Sequence, residues 1–323
     1  MKVILSAPGK SFLLGEYAVL GGSPALLAAT GPRFTLELEL GQGGSCEGIH
    51  PSSPAGKWIR QQNVLFQNAS IRFQDPHVGR GGLGASSAQF LAAYTWSVLA
   101  ETPMTEWAAA LSPQKLWQAF RSVAWDGQGL APSGADVMAQ FMGGLTQFQS
   151  HPFSLQSPSW PFARLSFSLF RTHEKTPTHS HLGSLQGTHF GELRPDLDRA
   201  LVAFHHGQDQ VFVESVARYG RLLQDMGLLH EKVIPAVEGL RASEQVLAVK
   251  GCGAMGADIL LVLHRPENRA GIVSLGEQLG LRYEAGVGDL DQGLRLQVDT
   301  ASIPVSGHRY QGPVFSRDEG DHP

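Results

Sequence analysis

Four stretches of this chain combine glycines with a cation, hydroxyls or a carboxylate, the groups that bind anions and move protons. The first is A-P-G-K-S-F-L-L-G-E-Y-A-V-L at 7–20, with a Gly-Lys-Ser triplet. A Walker A loop needs a further glycine five residues before Gly9, where this chain has Ile4, so the triplet cannot wrap a phosphate in that way. Its spacing alone predicts a hairpin with Pro8 and Gly9 in the turn. The second, G-G-L-G-A-S-S-A-Q-F at 81–90, runs straight into the apolar stretch Phe90 to Leu99. Glycines let backbone curve around a ligand, and the first N–H groups of a helix lack intrahelical acceptors, so an anion site is expected there. The plainer alternative is a loop ended by a serine N-cap.

The third stretch, P-S-G-A-D-V-M-A-Q-F-M-G-G at 132–144, places Ser133 and Asp136 at the S-x-x-D spacing of a capping box. Asp136 could complement the helix start, or face a bound phosphate as a general base. The fourth, K-G-C-G-A-M-G-A-D at 250–258, matches G-x-G-x-x-G through Gly251, Gly253 and Gly256. A dinucleotide site needs a helix after those glycines, whereas Ile259 to Leu263 is a β-rich apolar run, so a glycine loop between two strands is expected. His173, His179 and His181 share one polar loop, but carboxylate or cysteine partners at metal-ligand spacing are missing.

The elements that must carry these residues show in the periodicity. Phe34, Leu36, Leu38 and Leu40 alternate with Thr35, Glu37 and Glu39, which predicts a strand with one wet face. Further strands are expected at 2–6, 144–149, 165–170, 246–250, 259–263 and 294–298. Helices are expected at 86–101, 112–125, 134–142, 209–226 and 266–279. The proline-rich segment 150–162 predicts a domain boundary, and 172–191 a long polar loop. The tail from Ser306 has too few apolar residues to pack firmly.

The chain has 323 residues, 25 basic and 29 acidic, a net charge of −4, and 42% hydrophobic residues. That suffices for one large or two ordinary domains without disulfide staples. The charge balance, without Lys/Arg runs, lacks the footprint of a nucleic-acid binder, so an anionic ligand must be held locally. Two isolated cysteines, Cys46 and Cys252, fit a reduced compartment. No apolar run approaches the roughly 20 residues that cross a bilayer. A soluble cytoplasmic protein is expected, monomeric or homodimeric, with small-molecule partners and neither membrane nor nucleic acid.

In this order, the four stretches resemble the GHMP small-molecule kinases, which include galactokinase, homoserine kinase, mevalonate kinase and phosphomevalonate kinase. A-P-G-K-x-x-L-x-G-E-Y-A-V-L is similar to the family's opening motif, and G-L-G-A-S-S-A to its phosphate loop. S-G-A-D-V-x-x-x-x-x-G-G is similar to its catalytic-aspartate segment, and G-x-G-A-x-G-x-D to its third motif. The resemblance spans residues 7 to 258. It implies an α+β, two-domain GHMP architecture: a ribosomal protein S5 domain 2-like half over 1–155 and a ferredoxin-like half over 156–323.

The resemblance also implies transfer of the γ-phosphate of MgATP to an isoprenoid precursor. Asp136 would take or orient the acceptor's proton, with Lys10 beside it. Gly82, Leu83, Gly84, Ala85, Ser86 and Ser87 would hold the nucleotide phosphates, with Ser86 or Ser87 on Mg²⁺. Glu16, Tyr17, Ser133, Gly134, Lys175, Gly253 and Ala254 would face the substrate. Tyr17 stands where mevalonate kinases usually carry His, and Asp258 ends the third motif as in phosphomevalonate kinases. The loop 172–182 looks like the segment phosphomevalonate kinases place by the substrate, so phosphomevalonate is the expected acceptor. V-L-G-G-S-P-A-L at 19–26 resembles mevalonate kinase as closely and keeps that alternative open. Met255 and Ala257 replace usual glycines of the third motif, which leaves a catalytically silent ligand sensor as a third reading. Asp126 is the nearest acid to the glutamate that mevalonate kinases use on magnesium.

Overall fold

The computed structural model describes residues 1–41, 43–77, 81–172, 190–253, 258–299 and 310–313. Among them the strands are β1 Lys2–Leu14, β2 Ala25–Leu40, β3 Ser45–Glu47, β4 Ala69–Gln74, β5 Leu145–Gln149, β6 Ser154–Gln156, β7 Ser166–Arg171, β8 Val246–Cys252, β9 Ile259–His264, β10 Arg282–Gly286, β11 Arg295–Asp299 and β12 Tyr310–Pro313. The helices are α1 Pro54–Gln61, α2 Asn63–Phe66, α3 Ala85–Ala100, α4 Trp107–Ala110, α5 Pro113–Ala124, α6 Ala135–Met142, α7 Arg194–His205, α8 Asp209–Asp225, α9 Ile234–Arg241 and α10 Arg269–Gln278.

The first sheet runs β12-β11-β1-β2-β4-β3, with β5 added to β2 and β6 to β5. Along β2, Phe34, Leu36 and Leu38 are buried while Thr35, Glu37 and Glu39 are partly exposed, as the alternation predicts. The earlier half, Ala25 to Thr30, is buried throughout and shows no alternation, so the sequence reveals only the wet end of the strand. Pro8 and Gly9 do not turn the chain. β1 continues through them to Leu14, with a register shift between Ala7 and Gly9. Proline donates nothing to a ladder and fits in a strand where the pairing is irregular, which is why a turn signal appears in mid-strand.

The second sheet is antiparallel in the order β10-β7-β9-β8, with α7 to α9 between β7 and β8 and α10 between β9 and β10. This connectivity is ferredoxin-like, as expected, but its sheet ends at β10 rather than running on toward the end of the chain. Both faces of β9 are covered: Ile259, Leu261 and Leu263 join the main core, and Leu260 and Val262 a second core with Phe170, Val237 and Ile272. The run I-L-L-V-L therefore reads as continuous rather than alternating.

The end of the chain returns to the first sheet, where β11 pairs with β1 and β12 with β11, so four residues of the expected loose tail form an edge strand. Arg33 ties this return down. Its guanidinium donates to Asp291 Oδ2 at 2.8 Å and to the carbonyls of Gln292, Ser6 and Gly293 at 2.7, 2.7 and 2.6 Å.

A second tie links the halves. Arg171 on β7 donates to Glu284 on β10 at 2.7 Å, and its Nη2 lies 2.9 Å from Nδ1 of His77, just after β4. That contact needs His77 neutral, since a protonated ring has no lone pair to accept. Burial first, and then Arg171, push the His77 pKa below its ordinary 6.5, against opposing pulls from Asp75 and Glu284.

Two outcomes follow for stability. Arg33→Met strands carbonyls that accept from a charged donor and should cost about 3 kcal/mol in urea unfolding; a loss under about 0.5 kcal/mol would show that the return strand is held elsewhere. As pH falls through 6.5, the unfolded chain takes up a proton that folded His77 resists, so stability present above that pH is lost below it. The urea midpoint should drop between about pH 7.5 and 5.5, and His77→Gln should drop less.

Candidate active site

Lys10 sits in mid-β1, with its backbone N–H donating to Leu83 O at 3.0 Å. Its Nζ lies 3.0 Å from Asp136 Oδ1 and 5.4 Å from the centroid of Phe12. The lysine side chain is 9% exposed and the aspartate 38%, so a nearly buried cation is offered at a carboxylate open to solvent. The capping-box reading of Asp136 does not hold. The N-cap of α6 is Gly134, at φ 78°, without a side-chain capping bond, and Ser133 Oγ accepts from Ala135 N at 3.2 Å instead. The left-handed bend frees Asp136 from the helix start and leaves its charge in the first turn, where the helix dipole favours an anion.

Gly82 and Gly84 take φ of 80° and 91°, a conformation side chains disfavour, and lead into α3. The N-cap here is Gly84, again without a side-chain capping bond, so the serine-cap reading fails too. Ser87 Oγ donates to Gly84 O at 2.9 Å and braces the loop from within, whereas Ser86 is exposed. A Cβ on Gly84 would come 3.0 Å from Lys10 Cγ, and one on Gly82 would collide with Asp258. The backbone of residues 82–84 thus passes close to both the Lys10 stem and the end of the fourth glycine stretch. Buried Gln140 on α6 locks the arrangement, donating to Pro8 O at 2.9 Å and Gly84 O at 3.0 Å. Its amide is what makes the strand, the loop and the aspartate helix one rigid unit.

The fourth stretch joins antiparallel β8 and β9, which excludes the dinucleotide reading. Gly253 leaves β8 at φ 77°, while Ala254 to Gly256 and Ala257 lie outside the described residues. Glu16, expected at the substrate, is instead 3% exposed and paired with the fully buried Lys250 of β8. Burial pushes its carboxyl above the ordinary range, and Lys250 and then Lys10 pull it back. Lys250 also donates to Gly251 O at 3.0 Å. Burial raises the neighbouring Cys252 thiol to about 11, which keeps it protonated and inert. Tyr17 is 5% exposed, at φ 64°, with its ring 5.6 Å from Phe190.

Asp126 is exposed and accepts from Gln128 N at 3.1 Å, serving a turn. Lys175 and His173, His179 and His181 lie outside the described residues, and no group of three metal-ligating side chains occurs among those described. A divalent ion carried by nucleotide phosphates needs only one or two protein oxygens. The free Ser86 hydroxyl fits that need, while Ser87 is engaged with Gly84. Sequence reasoning passed over Gln140 and Lys250, because an isolated amide on a helix and a lysine in a strand carry no spacing signal.

No protein-family model matches the sequence, and no curated protein matches it significantly. Solved structures do match. The Lin0012 protein from Listeria innocua aligns with a TM-score of 0.73 at 17% identity, over 92% of this chain and 99% of that one. Phosphomevalonate kinase of Streptococcus pneumoniae aligns at 0.69 and 16%, over 88% and 99%. Lactococcus lactis galactokinase, solved with galactose, aligns at 0.71 and 12%, over 91% and 94%. Likeness at such identities establishes architecture: the chain has the two-half α+β fold of the GHMP kinases.

Proposed function

We propose that this protein transfers the γ-phosphoryl group of MgATP to a small isoprenoid-precursor acceptor. The observation that carries the reading is the Lys10–Asp136 pair, 3.0 Å apart, set against the glycine loop at the start of α3. Phosphoryl transfer asks a protein for alignment and charge compensation rather than covalent chemistry. Backbone N–H groups from Gly82 to Ser87 bind the β- and γ-phosphates, helped by the dipole of α3. Ser86 would ligate Mg²⁺, which offsets phosphate charge when bound. Lys10 stabilises the negative oxygens of the group in flight. Asp136 orients the acceptor oxygen through Lys10 and, where that oxygen is a hydroxyl, receives its proton; an ionised phosphate oxygen attacks with no proton to give up. That oxygen forms the new bond to the γ-phosphorus as the bond to the bridging oxygen breaks and ADP leaves.

Phosphomevalonate is the acceptor we favour, supported by Tyr17 in the opening motif, Asp258 at the close of the third, and the Lys175 loop. Its own phosphate oxygen would be the nucleophile, giving a diphosphate. Mevalonate, which would react through a hydroxyl, is the second reading, favoured by V-L-G-G-S-P-A-L at 19–26. The silent-sensor reading is disfavoured because Lys10 and Asp136 are both present and paired.

A coupled ADP-release assay with MgATP should give turnover with phosphomevalonate in excess of that with mevalonate. The reverse order makes mevalonate the acceptor, and no ADP with either refutes both. Asp136→Asn should lower kcat by ~10²–10⁴-fold, and it should also lower the urea midpoint, because the nearly buried Lys10 ammonium loses its charge partner. Full activity in that variant would remove the carboxylate from the chemistry.

A further inference from the structure

Arg121 on α5 stands apart from the other described arginines that are buried or half-buried: Arg33, Arg171, Arg241, Arg265 and Arg295 each have a carboxylate within 3.9 Å. Arg121 has neither an ion pair nor a side-chain hydrogen bond among the described residues, and its Nε is buried without a partner. Only aromatic faces hold it: its Cζ lies 5.0 Å from the ring centroid of Trp117 and 5.8 Å from that of Trp125. Stacking fixes a guanidinium but leaves its in-plane N–H donors unused. A partly buried cation with unused donors is costly unless something anionic completes it.

The space beside it is suited to that. Arg121 lines a cavity of about 320 Å³ with Trp117, Ser133, Ser150 and His151, and no acidic side chain lines it. His151 Nδ1 is engaged with Ser150 Oγ at 3.1 Å, which orients the imidazole on the cavity wall. The cavity belongs to the neighbourhood of Asp136. Ser133 begins the bend into α6, Trp117 Nε1 donates to Ser133 O at 2.8 Å, and a Cβ on Gly134 would come 2.7 Å from Trp117 Cδ1. The wall that stacks on Arg121 is therefore pressed against the start of the helix that carries the aspartate.

We infer that this cavity seats a carboxylate at the non-reacting end of the acceptor, bound by the planar fork of Arg121, and that Arg121 sets the requirement for an anionic acceptor. One guanidinium can clasp two oxygens of a carboxylate or a phosphate in a single plane, but its single charge balances only a carboxylate and leaves a phosphate dianion with a charge over, in a cavity with no second Lys or Arg among its lining residues. With the chain at −4 overall, attraction of an anion has to come from such a local group. The inference rests on the phosphotransfer reading for the identity of the ligand.

Trp117 and Trp125 supply a readout independent of turnover. The full chain without nucleotide is titrated with mevalonate, with the uncharged mevalonolactone and with inorganic phosphate, and tryptophan emission is followed. Mevalonate should give a saturable change that the lactone and phosphate do not. Arg121→Met should raise its Kd at least tenfold, and Arg121→Lys, which keeps the charge without the fork, should weaken binding by a smaller factor. In the ADP assay Arg121→Met should raise the acceptor KM by a similar factor and leave the ATP KM within twofold. Equal binding by Arg121→Met, equal binding of lactone, preference for phosphate, or no saturable response of the unmodified protein each overturns the inference. If Arg121→Met does not fold, unchanged binding by Arg121→Lys overturns it instead. Arg121-dependent binding without ADP formation refutes phosphotransfer alone; ADP formation with an unchanged acceptor KM in Arg121→Met refutes this seat alone.

Discussion

The site depends on how one lysine is confined. Lys10 is nearly buried and its ammonium is compensated by Asp136 at 3.0 Å, while a second pair, Glu16 with the fully buried Lys250, lies deeper in the molecule. Removing the carboxylate from either pair leaves an unpaired buried ammonium, which costs far more than the pair contributes when complete. The first pair opens to solvent at the start of α6, and the second ends on β8, next to the fourth glycine stretch.

Packing serves the same end. Gln140 and the absent side chains of Gly82 and Gly84 let β1, the phosphate loop and α6 approach within backbone distance. Tyr219 of α8 donates to Glu16 O at 2.6 Å, and a Cβ on Gly220 would come 2.7 Å from Lys250 Cβ, so α8 closes over the buried pair. The return of β11 to β1 means the second half cannot swing freely, because the chain on both sides of it is built into the first sheet. The proposed site is thus held by packed elements from both sheets, the kind of positioning that transfer between two bound substrates needs.

Much of this was legible in the sequence. Strand β9, helices α3, α5, α6 and α8 and the placement of the fourth glycine stretch as a loop between two strands follow from periodicity and from the residue types that flank them. The approach of Lys10, Gly84 and Asp136 came from motif order, since no local spacing connects positions 10, 84 and 136. What stayed hidden depends on long-range partners. Pro8-Gly9 carries a turn signature that a bulge absorbs, Ser133 and Asp136 have cap spacing but a left-handed Gly134 intervenes, and Glu16 finds Lys250 across the two halves. Arg121 gave no signal because an arginine on an amphipathic helix is normally a solvated charge; its distinction is a missing partner, which only tertiary structure reveals.

The central claim is that Lys10 and Asp136 act as one unit on the transferred group. A double-mutant cycle tests it most directly, with single-turnover rates measured for Lys10→Met, Asp136→Asn and the combination at saturating MgATP and acceptor. Residues that work as a unit are strongly non-additive, so the double variant should be about as slow as the slower single one. Losses that simply multiply would contradict the account and make the 3.0 Å pair a neighbourly contact without shared function.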